Sequence, residues 1–144
     1  MDCIHAIEET SFADPWKKES VLELFSTKYM ICLTALDSKN KAVGYVFMRH
    51  VINEGHIYNI AVSKTHRNKG LATQMINALI KESLAENIIG LTLEVRKGNI
   101  PAINLYTKLG FVIEGVRKNF YDNPTEDGLI MWIHLPEVNK CFEN

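Results

Sequence analysis

The apolar positions change their period part-way along the chain, and the change divides it into two architectures. Residues Asp2 to Thr10 read as a short helix carrying Ile4 and Ile7. Asp14-Pro15 reads as a helix start, with Asp as cap and Pro at the first helical position. That helix is expected to run to about Phe25 on Trp16, Val21, Leu24 and Phe25. Strands are expected at Tyr29–Leu36, Ala42–Val51 and His56–Val62, joined by turns at Asp37-Ser38-Lys39-Asn40 and Asn53-Glu54-Gly55. To this point the chain is an antiparallel meander.

From Leu71 to Asn87 the period becomes helical, with Leu71, Met75, Ile76, Leu79, Ile80 and Leu84 on one face. Gly90 closes the connection and Leu91–Val95 returns to strand. Strand, helix and strand at this length imply a parallel pair with a right-handed crossover. A second helix is expected at Ile100–Leu109, with Pro101 tolerated in its first turn. Phe111–Arg117 and Leu129–Leu135 read as closing strands around a polar loop, Asn119–Gly128. The tail after Pro136 reads as frayed. The expected fold class is α+β, a three-layer α/β/α arrangement on a mixed sheet.

At 144 residues the chain is expected to form one domain with a sizeable core. A hydrophobic share of 47% and a charged share of 23% are ordinary for a globular protein. A formal net charge of −1 leaves no basic excess for phosphates, which argues against a nucleic-acid binder. Cys3, Cys32 and Cys141 are widely spaced with no CxxC, against a disulfide framework or a metal site. That usage fits a reducing cytosol, so the expected location is cytoplasmic. No signal-peptide pattern opens the chain, and no apolar run reaches the ~20 residues that span a bilayer.

Two segments carry chemistry. Arg67-Asn68-Lys69-Gly70-Leu71-Ala72 lies between a strand and the long helix. First-turn N–H groups have no internal acceptors, and the helix dipole adds positive potential there. Gly70 and Ala72 admit a ligand close to the backbone, and Arg67 and Lys69 add charge, so the turn reads as an anion site. It has neither the GK[ST] of a P-loop nor a GxGxxG. Taken alone, it reads rather as a solvated basic turn capping a helix.

In the second segment, alternation sets Leu91, Leu93 and Val95 on one face and Thr92, Glu94 and Arg96 on the other. Glu94 is then on a central strand with partial access to water, which should raise its pKa and suit it to general-base work. Neutralisation by Arg96 or another cation is the competing reading. Tyr106, two turns into the second helix, is either core or a hydroxyl aimed back at the end of that strand. Asn99 is a natural helix cap.

These residues resemble the Gcn5-related N-acetyltransferase superfamily. Residues 67–72, RNKGLA, match its [QR]-x-x-G-x-[GA] motif for the acetyl-CoA pyrophosphate. The stretch LTLEVRKGNIPAINLYTKLGF resembles the protein N-terminal acetyltransferase branch, above all the bacterial RimI-type ribosomal-protein-alanine acetyltransferases. Ile7-Glu8-Glu9, Ser11-Phe12, Pro15-Trp16, Tyr58-Asn59-Ile60-Ala61-Val62 and Arg117-Lys118-Asn119-Phe120-Tyr121 before Glu126-Asp127 extend the likeness over nearly the whole chain.

The resemblance implies roles by position. Backbone groups of Ile60, Ala61 and Val62 would bind the acetyl and pantetheine end of acetyl-CoA. Arg67 and the N–H groups of Asn68, Lys69, Gly70, Leu71, Ala72 and Thr73 would hold the pyrophosphate, and Asn99 the pantetheine arm. Glu94 would be the general base, acting through water, and Tyr106 the general acid for the departing thiolate. Phe12, Trp16, Tyr121 and Glu126 would flank the acceptor groove, although each also reads as packing. Glu54 and His56 are placed to face that groove, with His56 read as an ordinary strand residue.

The implied chemistry is direct transfer in a ternary complex. An α-amine of pKa about 7.7–8.0 must lose a proton before attack. A strand N–H near Val62 would stabilise the oxyanion. No cysteine nucleophile and no metal are needed. The implied acceptor is a protein N-terminus, the N-terminal alanine of small-subunit ribosomal protein S18. Alternatives are an acetyltransferase for a small amine, polyamine or antibiotic, and an acyl-CoA-binding module without catalysis. Retention of both Glu94 and Tyr106 argues against the last. Superfamily members usually open with a strand before the first helix, and here that edge strand is expected to be missing. The edge of Tyr29–Leu36 would then be exposed, so a monomer or weak homodimer is expected.

Overall fold

Helices α1 (Asp2–Ser11) and α2 (Lys18–Ser26) precede strands β1 (Met30–Leu36), β2 (Ala42–Val51) and β3 (Glu54–Val62). Then come α3 (Leu71–Ala85), β4 (Gly90–Arg96), α4 (Ile100–Lys108), β5 (Val112–Tyr121) and β6 (Glu126–His134). The computed structural model describes residues 2–12 and 14–136; the tail beyond Pro136, with Cys141, lies outside the described residues. The strands form one mixed sheet in the order β1-β2-β3-β4-β6-β5. Every neighbouring pair is antiparallel except β3 and β4. Among the described residues β1 pairs only with β2, so the expected exposed edge lies there.

Strand alternation divides the core between two faces. Val46, Met48, Ile57, Leu91, Leu93 and Val95 pack with Met75, Ile76 and Leu79 of α3. Tyr45, Phe47 and Ala61 pack on the other side with Ile4 and Ile7 of α1 and Val21 of α2. This is the expected α/β/α layering. Helices α1 and α2 rest on β1, β2 and β3. The same face of β4 and β6, carrying Thr92, Glu94 and Trp132, stays only half-buried.

One irregularity shapes the centre of the sheet. Phe47 pairs with Asn59 and Met48 with Ile57, so Tyr58 is an extra residue in β3. Such a bulge bends and twists its strand. The parallel ladder of β3 with β4 is confined to Glu54↔Gly90, Gly55↔Leu91 and His56↔Thr92. Past His56 the two strands part and leave a cleft.

Two expected boundaries moved. Helix α2 begins at Lys18, and Lys17 at its N-cap makes no side-chain cap bond. The Asp14-Pro15 signal loses to a tertiary bond. The Trp16 N–H donates to Glu8 Oε2 at 3.2 Å, and the Trp16 ring stacks on Phe47, which holds this segment extended. The second shift is at Asn119–Gly128, which is mostly strand. Tyr121 pairs with Glu126 and Arg117 with Gly128, so only residues 122–125 turn. An exposed edge strand accommodates polar side chains, so polarity alone does not mark a loop.

Glu8 is fully buried. Its carboxylate accepts from the Tyr45 hydroxyl, Asn59 Nδ2 and the Trp16 N–H. It thereby joins α1, β2, the bulged β3 and the loop before α2. Among the described residues no helix is long and apolar enough to cross a membrane.

Candidate active site

The basic turn is built as an anion cradle. Asn68 and Gly70 are both left-handed, at φ +60° and +76°. Gly70 caps α3 without a side-chain bond, and the first helical hydrogen bond runs from the Gln74 N–H to the Gly70 carbonyl at 3.0 Å. The N–H groups of Leu71, Ala72 and Thr73 therefore have no acceptor within the helix. A Cβ on Gly70 would meet nothing within 4 Å, so the space before these donors is open. Arg67 does not reach into it as expected. Its Nε donates to the Val62 carbonyl at 3.0 Å and its Nη2 to Ser11 Oγ at 3.3 Å, bracing the end of β3 against α1.

The parted strands add a second set of free backbone groups. The Ser63 N–H donates to the Val43 carbonyl at 2.8 Å, continuing the ladder with β2. By alternation Ala61 and Ser63 face β2, and Ile60 and Val62 turn their N–H and C=O groups toward β4; with the Val62 carbonyl held by Arg67, both Ile60 groups and the Val62 N–H are left. Pairing with β4 has ended by then. The cleft can accept an extended, amide-bearing ligand as though it were a strand.

Glu94 lies on β4 just beyond the last parallel pair, its side chain 15% exposed. Its Oε2 is 2.6 Å from His56 Nε2 on β3, and its Oε1 is 3.8 Å from Arg117 Nη2 on β5. The expected raised pKa is overturned. The His56 hydrogen bond holds the Glu94 carboxyl below the usual range, against burial, which acts the other way; the charges of His56 and Arg117 lower it further. Arg96 is not its partner. Arg96 bonds Glu126 Oε1 at 3.3 Å and the carbonyls of Asp122 and Pro124.

An anion cradle at a helix N-terminus, a strand cleft and a carboxylate–imidazole pair thus meet at the centre of one sheet. The profile of the Acetyltransferase (GNAT) family matches residues 1–111. The chain belongs to that family.

A candidate ribosomal protein bS18-alanine N-acetyltransferase from Bacillus subtilis is 33% identical over 138 residues, covering 95% of this chain and 91% of the relative. The solved ribosomal-protein-S18-alanine N-acetyltransferase of Escherichia coli superposes with a TM-score of 0.89 at 26% identity. That match covers 99% of this chain and 92% of the other. A candidate streptothricin acetyltransferase from Bacillus anthracis, solved with acetyl coenzyme A, matches with a TM-score of 0.71 at 26% identity, over 80% and 68% of the two chains.

Acetyl-CoA is accordingly the co-substrate of this acetyltransferase. The residues present fit it: unpartnered N–H groups face open space for the diphosphate, and Ile60 and Val62 offer backbone groups to the amides of the pantetheine arm. Asn99 caps α4, its Oδ1 accepting from the Ala102 N–H at 3.3 Å, so the capping role is filled. Its Nδ2 is the group left for a ligand.

Tyr106 is 7% exposed, with its ring 5.8 Å from Phe111. Burial, helped by the nearby Tyr121, pushes its phenol up to about 12. Tyr121 lies under the Arg96 guanidinium at 4.5 Å, and burial followed by the Glu94 charge pushes its own phenol up. Glu126 is occupied on both oxygens, by Arg96 and by the Gly98 N–H at 2.8 Å. It ties the hairpin tip to the turn that starts α4. Phe12 and Trp16 pack on the cluster of Tyr45 and Phe47.

Three site neighbours carry no catalytic role in the sequence. His56 is set facing the groove but reads as an ordinary strand residue, and Arg117 and Tyr58 stand only within motifs of the resemblance. The available signal was strand parity, which sets His56 and Glu94 on one face of neighbouring strands.

Proposed function

We propose that this acetyltransferase transfers acetyl from acetyl-CoA to the N-terminal α-amine of a protein, the alanine of ribosomal protein bS18 being the acceptor. The observation that carries the reading is the half-open face of β4 and β6, which presents the His56–Glu94 pair beside the strand cleft. An extended polypeptide end can lie on that face with its amine at the pair. The likeness to the bS18-alanine enzymes over nearly the full length supports the same acceptor. The likeness to a streptothricin acetyltransferase supports a second reading, a small polyamine acceptor. We propose further that residues 1–144 act as one cytoplasmic domain.

Acetyl-CoA supplies an activated thioester. Glu94, held by His56, takes the amine proton, directly or through one water. Of the strand N–H groups turned into the cleft, that of Ile60 is the nearer to the pair and donates to the developing oxyanion. Tyr106 keeps its proton at neutral pH and serves the leaving sulfur as a hydrogen-bond donor. Burial raises the phenol above the range of a thiol, so it donates a hydrogen bond more readily than it gives up its proton. The N–H groups of Leu71, Ala72 and Thr73 hold the diphosphate.

Incubation with acetyl-CoA and synthetic peptides, read by mass spectrometry, tests the acceptor. A bS18 N-terminal peptide should gain one acetyl group on its alanine. The same peptide blocked at the terminus but carrying a free lysine should gain none. Acetylation of spermidine or streptothricin with no peptide product would establish the second reading instead.

Gly70→Val places a β-branched residue at φ +76°, where the added Cβ meets nothing within 4 Å. The left-handed strain costs about 1–2 kcal/mol and distorts the cradle. Relaxing that strain moves the Leu71, Ala72 and Thr73 N–H groups off the diphosphate, so the KM for acetyl-CoA should rise at least about ten-fold, about 1.4 kcal/mol of lost binding, while the peptide KM holds. An unchanged acetyl-CoA KM would remove the cradle from the site.

His56→Ala tests the proton acceptor through pH. It deletes the largest cause of the lowered Glu94 pKa and leaves burial, which raises it. The acid limb of kcat/KM should therefore move to higher pH. Acid stability follows the same sign. The depressed carboxyl stabilises the fold above its unfolded pKa of about 4.3, and this is lost as pH falls through the lower folded value. Loss of His56 should shrink that contribution. A profile with an unmoved acid limb would dissociate His56 from the base.

A further inference from the structure

We infer that Tyr58 sets the size of the acceptor's first side chain and restricts the site to small N-terminal residues. This rests on the N-terminal acetylation reading above. Tyr58 is the extra residue of the β3 bulge. The bulge brings its ring to 4.8 Å from the ring of His56, whose Nε2 holds Glu94.

The amine that gives up a proton lies within about 2.6–3.2 Å of the pair, or one water away. Its own Cβ is only two bonds further on, so the first side chain must enter the space beside His56. Tyr58 forms the wall there.

That wall is backed and cannot yield. The Trp16 ring meets Tyr58 edge-on at 6.3 Å and stacks on Phe47 at 6.2 Å with an interplanar angle of 1°. Phe47 is 1% exposed, and the Trp16 backbone is bonded to the buried Glu8 carboxylate. A side chain that pushed on Tyr58 would have to displace this whole aromatic row. Close-packed interiors resist that, because adding even a few methylenes forces neighbours off their rotamers.

Tyr58 and His56 together border a depression of about 490 Å³, which Arg49, Thr92 and Trp132 also line. His56 and Tyr58 thus border the same space, and the Tyr58 ring takes up the part of it that lies beside the pair. Truncating the ring would enlarge that space beside the pair without touching His56 or Glu94.

The test compares kcat/KM on bS18-type peptides that differ only in their first residue, alanine against methionine or leucine. The wild-type protein should prefer alanine by at least about ten-fold, since a few methylenes in a tight pocket discriminate by 10–200-fold. Tyr58→Ala should shrink that ratio at least ten-fold by gaining activity on the large-residue peptides. Tyr58→Phe should keep the wild-type ratio, because ring size rather than the hydroxyl sets the wall. An unchanged ratio in a folded Tyr58→Ala protein would overturn the inference. If that protein melts below assay temperature, Tyr58→Leu carries the same comparison with the same outcomes. A wild-type protein inactive on every peptide would instead overturn the acceptor reading, and the inference with it.

Discussion

Glu94→Gln should lower kcat/KM for an N-terminal alanine peptide by roughly 10²–10⁴-fold, the usual contribution of a positioned general base. Glutamine keeps the size of the side chain and an oxygen that can accept from His56 Nε2. The geometry at 2.6 Å should survive. What is lost is the charge and the capacity to take a proton. Because only the proton-transfer step is touched, kcat should fall and the acetyl-CoA KM should change by less than about three-fold, as for an interaction made in the transition state alone. Raising the pH should recover part of the rate, since above about 8 the amine is already largely unprotonated. Steady-state kinetics on the two proteins at pH 7 and pH 9 decide the matter. Activity within a few-fold of wild type at pH 7 would remove Glu94 from the chemistry.

The second large effect concerns folding rather than turnover. Glu8→Ala should lower the melting temperature by more than about 10 °C. Three donors converge on this fully buried carboxylate: the Tyr45 hydroxyl, Asn59 Nδ2 and the Trp16 N–H. Each buried donor left without an acceptor costs about 1–3 kcal/mol. The sum is a large share of the 5–15 kcal/mol that holds a domain of this size together, at about 2–4 °C per kcal/mol. Activity should fall as well, because Asn59 belongs to the bulge that carries Tyr58 and Trp16 backs it. Differential scanning calorimetry gives the answer. A shift of only about 3 °C would mean that water satisfies the three donors once the carboxylate is gone.

The two variants separate the layers of the molecule. Glu94→Gln should leave the melting curve in place and remove turnover. Glu8→Ala should move the melting curve and take turnover down with it.

Much of this was legible from residue order. The meander, the long amphipathic helix, the parallel return of β4 and the capped α4 follow from local period and turn chemistry, which act over a few residues. The anion cradle was legible for the same reason, since free N–H groups before α3 are a property of any helix start beside a glycine. The start of α2 was not, because the bond from the Trp16 N–H to Glu8 spans eight residues and overrides a good cap signal. Nor was the length of the β5–β6 hairpin, whose polar residues pair across an exposed edge.

By itself, then, the sequence determined the order and type of the elements, the face of β4 that carries Glu94, and the family whose motifs the chain bears. Only the tertiary structure decided the electrostatics of the site. The Glu94 pKa falls rather than rises because His56, 38 positions away on the neighbouring strand, places a ring nitrogen 2.6 Å from the carboxylate. Hydrogen bonding and charge act over a few ångströms of space, whatever the separation along the chain, and a linear pattern carries no such distances. The same holds for the bulge at Tyr58, which arises from the register between two strands and is absent from either strand alone.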